Sequence, residues 1–536
     1  MQDKRKRIQN LCCAIMLLLV AITGLLILAS EQWVQTDWFV ILSFCINILV
    51  FIFQLMLSLW ARPFGLDFLF WLFNLFFFGF APLLQYATNV YAWDLKPETH
   101  QIWQTNLLVL LWSFAYMVGR LFADHYHRKG WHASKVSLTK RFGLIINSYL
   151  IKFAIWLEQC SVWKRINGSI AKIGPSLERK IQDCHNKKEN DFGEKILTGV
   201  SILYQKLLAR DRLTKVMDCM LVVSVLITIF HIGKIGFWNL FSRATANLAV
   251  GGQTATLLFT HIMKNTVLFV AAFHVVRAVA KKRLNGRTVV ALLCLLISCF
   301  PTALPRNMMA SFYAGLLILL IPQTRKGRWY ALLIVGGLIL LFPAVEIFRN
   351  MYSMENVDVG ALLAHSFNTT YLGGHYDAHQ NTVSAFNYVS EFGITWGRQM
   401  LGALLYFVPR ALWPGKPIGT GAMLMQELNQ FYFSNVSASL MLEGYINFGI
   451  IGVFLFGIIV GFAACTVDRA YWKEKRRWAL IRVIYPFTIF QFFFMLRGDM
   501  MSSWAYLSAQ VVVGIFWWTV LTVFGKKHPT EVANKP

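Results

Sequence analysis

Charge is scarce in this chain. Only 14% of its 536 residues are Asp, Glu, Lys or Arg, against roughly 25% in soluble domains, so a water-soluble globular enzyme is excluded. Proline and glycine, at 14 and 36 residues, are too few for collagen-like or low-complexity classes. Cysteine is sparse as well: nine residues without metal-ligand spacing, with Cys12 and Cys13 inside an apolar run. They read as small hydrophobes with no disulfide framework. What abounds is apolar: 57% of the chain is hydrophobic, with 44 Phe and 19 Trp, which excludes disorder. Acidic residues are the scarcer charge, 26 against 51 basic ones for a net +25. In a soluble protein that excess would point to nucleic acid; its distribution here gives it another meaning.

A bilayer core about 30 Å thick takes roughly 20 apolar residues per helix. Twelve windows meet or nearly meet that length: 9–30, 38–60, 64–85, 103–123, 216–235, 258–280, 288–304, 307–322, 329–347, 444–466, 481–496 and 502–524. Backbone polar groups must pair inside lipid and the alternation of a barrel is missing, so an all-α polytopic membrane protein of about 12 helices is expected. The first window follows Lys4-Arg5-Lys6-Arg7. It is too long for a signal core and lacks a small-residue cleavage site, so it reads as a retained first helix. With the N-terminus inside, the inner segments carry 39 Lys/Arg and the outer ones 8. That bias predicts even parity, with both termini cytoplasmic and no nucleic-acid partner.

The expected organisation is then helices one to four over 1–123, a basic cytoplasmic segment over 124–215, helices five to nine over 216–347, an outer loop over 348–443, and three helices with a short tail over 444–536. The 124–215 segment holds 18 Lys/Arg against 8 Asp/Glu. It reads as a helical mat on an anionic leaflet, with 142–160 an amphipathic helix. Within the outer loop, 399–413 is too short to span and reads as a re-entrant or interfacial hairpin.

The outer loop combines Arg349, Arg398, Arg410 and Lys416 with several carboxylates and many Tyr and Trp residues. Aromatic faces beside carboxylates and amides suit sugar rings, which makes Tyr376, Trp413, Tyr445 and Asn447 candidate sugar contacts. Arginine forks suit pyrophosphate. Three stretches stand out. VPRALWPGKP, 408–417, has three prolines in ten residues, a stiff turn that projects Arg410 and Lys416. LEGYINFGIIG, 442–452, opens a span with Glu443 near a helix N-terminus, where a carboxylate is favoured either as cap or as reactive group. HYDAHQNTVSAFNYV, 375–389, groups His375, Asp377 and His379; nothing in the spacing sets a ligand geometry, and no metal is expected. Arg306, Arg349 and Arg497 stand at outer span ends, where charge is costly unless paired or functional.

Taken in order, HYD, V-P-R-x-x-W-P-x-K-P and E-x-Y-x-N-F-G-x-x-G over about 375–452 resemble the Wzy-type O-antigen and capsule repeat-unit polymerases. The resemblance implies a metal-independent glycosyltransferase without cofactor, similar to the helical C class, in the bacterial inner membrane. Such enzymes move a growing glycan from a polyprenyl pyrophosphate carrier onto another carrier-linked repeat unit, beside a flippase and a chain-length regulator. It implies Arg410 and Lys416 on the donor pyrophosphate and Glu443 and Asp377 serving the acceptor; the outer-end arginines Arg306, Arg349 and Arg497, read from their position alone, are a further receiver for the anionic head group of that lipid carrier. Glu443, His375 or Asp377 would be the base, with Glu443 ranked first because it starts a rigid span. A lipid-linked glycan flippase or transporter is the rival class; a related glycan ligase would differ only in its acceptor.

Overall fold

The computed structural model describes residues 37–62, 64–94, 96–128, 211–241, 253–325, 328–341, 370–428 and 436–525. No strand occurs among the described residues. Nine helices there are long and apolar enough to cross a membrane. They are α1 (Trp38–Ala61), α2 (Leu66–Thr88), α3 (Thr99–Arg128), α4 (Arg212–Ile235), α5 (Gln253–Lys281), α6 (Gly286–Ser298, continuing as a short turn to Ala303), α12 (Leu440–Lys473), α13 (Leu480–Arg497) and α14 (Met500–Phe524). One window is shorter than expected, α7 (Arg306–Leu320); α8 (Arg328–Leu341) runs to the last described residue, and the rest of the 329–347 window lies outside the described residues. Pro305 and Pro322 bracket α7, and proline cannot extend a helix into either flank. The window 9–30, residue Arg349, the 142–160 segment and the start of the outer loop lie outside the described residues.

Helix α2 is the centre of the bundle. Its LFWLFNLFFFGF run is buried almost throughout, and a π-helical turn at Leu75–Phe80 rotates its rings into register with their neighbours. Phe70 stacks on Tyr116 of α3 with ring centroids 3.5 Å apart, and Phe77 stacks on Tyr376 at 4.4 Å. Against α3 lies α12, and glycine sets their distance. A Cβ at Gly461 would fall 2.1 Å from the Tyr116 carbonyl oxygen, and one at Gly457 would fall 2.6 Å from Ala115 Cβ. These two positions form the small-residue seam that lets membrane helices approach closely. The opposite faces of α1, α4, α12 and α14 expose Leu49, Leu226, Ile459 and Val512, as a lipid-facing surface requires.

At one end of the bundle the carboxylates are paired. Asp67 meets Arg120 at 2.9 Å and accepts from Trp71 Nε1 and Tyr116 Oη, each at 3.2 Å. Asp468 accepts the Leu66 amide at 3.0 Å and the Tyr485 hydroxyl, and Arg469 pairs with Asp124. Asp218 is tied to Arg287 at 2.9 Å. Charge inside a membrane body is tolerated where it is compensated in this way.

The other end, the cap end below, is covered by residues 370–428. Gln85 Nε2 donates to the Tyr371 carbonyl at 3.0 Å, and Gln101 Nε2 to Asn387 Oδ1 at 2.7 Å. The cap contains three helices: α9 (Ala378–Phe392), α10 (Arg398–Leu404) and α11 (Thr420–Glu427). The 399–413 stretch is α10 followed by turns; it leans on α14, with Ser508 Oγ 3.1 Å from Tyr406 Oη. Helix α12 breaks once, at Phe448–Gly449, where Gly449 adopts φ +65° and ψ −149°, a region open only to glycine. The break frees the Ile446 carbonyl, which accepts the Thr395 amide at 2.9 Å. The N-F-G of the 442–452 motif is thus the hinge by which a membrane helix holds the cap.

Candidate functional site

Two loops at the cap end carry the chemistry. The first runs from Ser437 into α12, and the second is the Arg497-Gly498-Asp499 link between α13 and α14. They lie side by side because both bind Asp377, through Ser437 and Arg497, and because Met500, just after the second, binds Glu443 of α12. Ser437 donates its hydroxyl to Asp377 Oδ1, and its amide reaches Asp377 Oδ2 at 3.4 Å. Arg497 Nη2 lies 3.3 Å from Asp377 Oδ1. Glu443, 1% exposed, accepts the Met500 amide at 3.0 Å on Oε1 and the Thr420 hydroxyl at 2.8 Å on Oε2. Asp499 caps α14 through Met501 N at 2.8 Å and also accepts Gly421 N at 3.1 Å. Burial pushes the Asp499 carboxyl above its ordinary value while these amides hold it down.

The turn before α9 is gripped by two arginines. Arg497 Nε donates to the His375 carbonyl and Nη2 to the Gly374 carbonyl, both at 2.9 Å. Arg306 Nη2 lies 3.5 Å from His375 Nε2. Gly374 permits the turn's approach to α2's far connection: a Cβ there would sit 2.3 Å from the Trp93 indole. Arg306, His375, Asp377 and Arg497 therefore form one cluster. Arg497 keeps part of its fork exposed, and its Nη1 makes no hydrogen bond among the described residues. That edge can meet an oxyanion.

Other expected contacts fall elsewhere. Lys416 is 7% exposed; its Nζ donates to the Val408 carbonyl at 3.0 Å and to the Tyr406 carbonyl. Arg410 donates to the carbonyls of Lys416 at 2.6 Å and Pro417 at 3.3 Å. The reason is the three prolines: a turn rich in them leaves carbonyls without amide partners, and the two cations fold back to satisfy them. They staple the turn instead of projecting from it. Tyr376 is fully buried between Phe77 and Tyr371, and Asn447 is fully buried with its amide oxygen on Met400 N at 3.1 Å and its nitrogen on the Glu443 carbonyl at 2.8 Å. As placed, neither reaches a sugar. Tyr445 stays half-buried against Phe386, and Trp413 is half-buried in the proline turn. His379 turns away from His375 and Asp377, to Asn106 Oδ1 at 3.1 Å.

The sequence alone does not single out Thr420, Ser437 or Asp499. Asp499 had a signal, since it stands two residues from Arg497 between apolar windows; Ser437 and Thr420 had none beyond their proximity to helix starts. Comparison with protein-family models, curated proteins and solved structures gives no match to this chain.

Two histidines make the cap sensitive to acid. His375 is held down to about 3 by burial and then by Arg306 and Arg497, and His379 is held down to about 3 by burial. Both are neutral in the folded cap at pH 5, whereas exposed imidazoles protonate near 6.5. The unfolded cap binds more protons between those values, so cap stability is complete above pH 6.5 and declines as pH falls toward 3. Amide exchange over 374–392, corrected for its intrinsic pH dependence, is expected to be several-fold faster at pH 5 than at pH 7. Equal protection at both pH values would refute this account.

Proposed function

We propose that the chain polymerises lipid-linked oligosaccharides, transferring a glycan from a polyprenyl pyrophosphate carrier to a carrier-linked acceptor at the cap end. The observation that supports this most is the convergence of Arg306 and Arg497 on the Asp377 turn, with Glu443 held by the neighbouring loop. In this reading the anomeric carbon–oxygen bond of the donor breaks, and its electron pair leaves with the pyrophosphate. Arg497, through its unspent edge, and Arg306 stabilise that leaving group, work that donors pre-set at the developing charge perform at about 10²–10³-fold in rate each. The acceptor hydroxyl forms the new bond to the anomeric carbon and gives its proton to Glu443, Asp377 or His375 as base; both carboxylates are as buried as Tyr376 and Asn447, so the acceptor reaches them only where the cap opens locally.

The basic end faces the cytoplasm on this proposal, because the Lys/Arg excess lies there and inner loops carry that excess. The cap then faces outward from a bacterial inner membrane. Purified protein incubated with a carrier-linked repeat unit should yield a ladder of products differing by one repeat. Binding or translocation of the repeat unit without a ladder would exclude a polymerase and favour a transporter.

A further inference from the structure

A second polar site lies in the bundle, away from the Asp377 turn. Where α4 and α6 end beside α5, a crevice is lined by His231, Thr260, Lys264, Ser298 and Cys299, with Leu240 and Leu304 among its apolar walls. It encloses about 320 Å³ of empty space, part of it open to the surroundings. The 320 Å³ includes open solvent, and the crevice as a whole has room for about one water-sized group.

The charge inside it meets no carboxylate among the described residues. Arg120, Arg287 and Arg469 in the same bundle each meet a carboxylate, as does Arg277, 3.7 Å from Asp211. Lys264, half-buried in α5, has no ion pair or hydrogen bond among the described residues. The titratable groups nearest it are His231, His261 and Cys299, none of them a carboxylate. His231 is 1% exposed and its Nδ1 has no hydrogen-bond partner. A cation at this depth is costly without a counter-charge, and the lining supplies donors but no anion.

What stands around the crevice indicates the source of that anion. Leu240 belongs to a short helical turn, Trp238–Phe241, whose Trp238 is 82% exposed. Phe237 and Lys234 are exposed beside it. Exposed Trp next to Lys marks the head-group level of a bilayer. The crevice's room admits a single phosphate oxygen and excludes a sugar ring.

We propose that this crevice binds the phosphate of an anionic phospholipid, one of whose oxygens enters to meet Lys264 while its glycerol and chains stay outside the crevice. The inference concerns binding alone and stands whether or not the chain transfers sugars.

The test uses delipidated full-length protein in mild detergent, with bound lipid read by native mass spectrometry. Dioleoylphosphatidylglycerol, dioleoylphosphatidylcholine and inorganic phosphate serve as probes. Wild-type protein is expected to retain phosphatidylglycerol over phosphatidylcholine, and Lys264→Met to lose about five-fold in that retention, as for one lysine near a charged surface. Lys264→Arg should keep it, and Lys234→Met, at an exposed lysine, should lose less than Lys264→Met. A second reading needs no variant: amide exchange over 258–268 of the wild type should be slower in phosphatidylglycerol nanodiscs than in phosphatidylcholine ones. Equal retention by Lys264→Met, or equal exchange in the two lipids, would overturn the proposal and leave Lys264 as an uncharged amine. Competition by millimolar inorganic phosphate as effective as by the lipid would overturn the lipid as the source.

Discussion

Arg497→Ala is expected to lower chain extension by about 10²–10³-fold, the cost of removing one donor placed at a developing oxyanion. Arg497 does three things from one side chain. It holds the Gly374 and His375 carbonyls, it pairs with Asp377, and it presents its remaining edge beyond them. A lysine has neither the reach nor the fork to do all three, so Arg497→Lys should restore little of the rate. A purely structural arginine would behave differently: both variants would lower the melting temperature, and whatever folded protein remained would work at the normal rate. The informative measurement is therefore kcat on purified, folded protein, next to its melting curve. Arg410→Ala gives the internal comparison, because that guanidinium already serves the carbonyls of Lys416 and Pro417. Its removal should loosen the proline turn and act less on kcat than loss of Arg497. Normal extension by Arg497→Ala would remove the pyrophosphate site from this cluster.

Much of the bundle was legible because lipid leaves so few choices. Backbone groups must pair within the helix, so apolar length alone identifies α1 to α6 and α12 to α14. The shortening of α7 was also written in the chain, by Pro305 and Pro322. Legibility ended where a side chain's partner lies far away in sequence. The pairing of Asp377 with Arg497 joins residues 120 positions apart, and no local pattern encodes it. The residue types at the site were visible; which of them meet was not. Arg410 and Lys416 illustrate the reverse case. Their charge suggested a ligand, but the carbonyls stranded by Pro409, Pro414 and Pro417 were the nearer claim on it. Tyr376 and Asn447 misled for a similar reason. An aromatic ring and an amide suit a sugar, and they equally suit a packed core in which the ring stacks and the amide bridges a helix break.

Glu443→Gln separates base from scaffold. The two partners of Glu443 are an amide N–H from Met500 and the hydroxyl of Thr420. Glutamine can keep both: its carbonyl oxygen accepts from Met500, and its NH2 donates to a Thr420 hydroxyl that turns from donor to acceptor. The fold of the two loops should thus survive, with a melting temperature close to that of the wild type. What glutamine cannot do is take up a proton, so a catalytic Glu443 predicts a loss of about 10²–10⁴-fold in transfer. Glu443→Asp keeps the charge but shortens the reach by one methylene, and should fail to hold Met500 N and Thr420 Oγ1 together. If glutamine supports transfer at the normal rate, the base is Asp377, the carboxylate that both loops touch, or His375 beside it, and Glu443 is the joint that brings α11, α12 and α14 together.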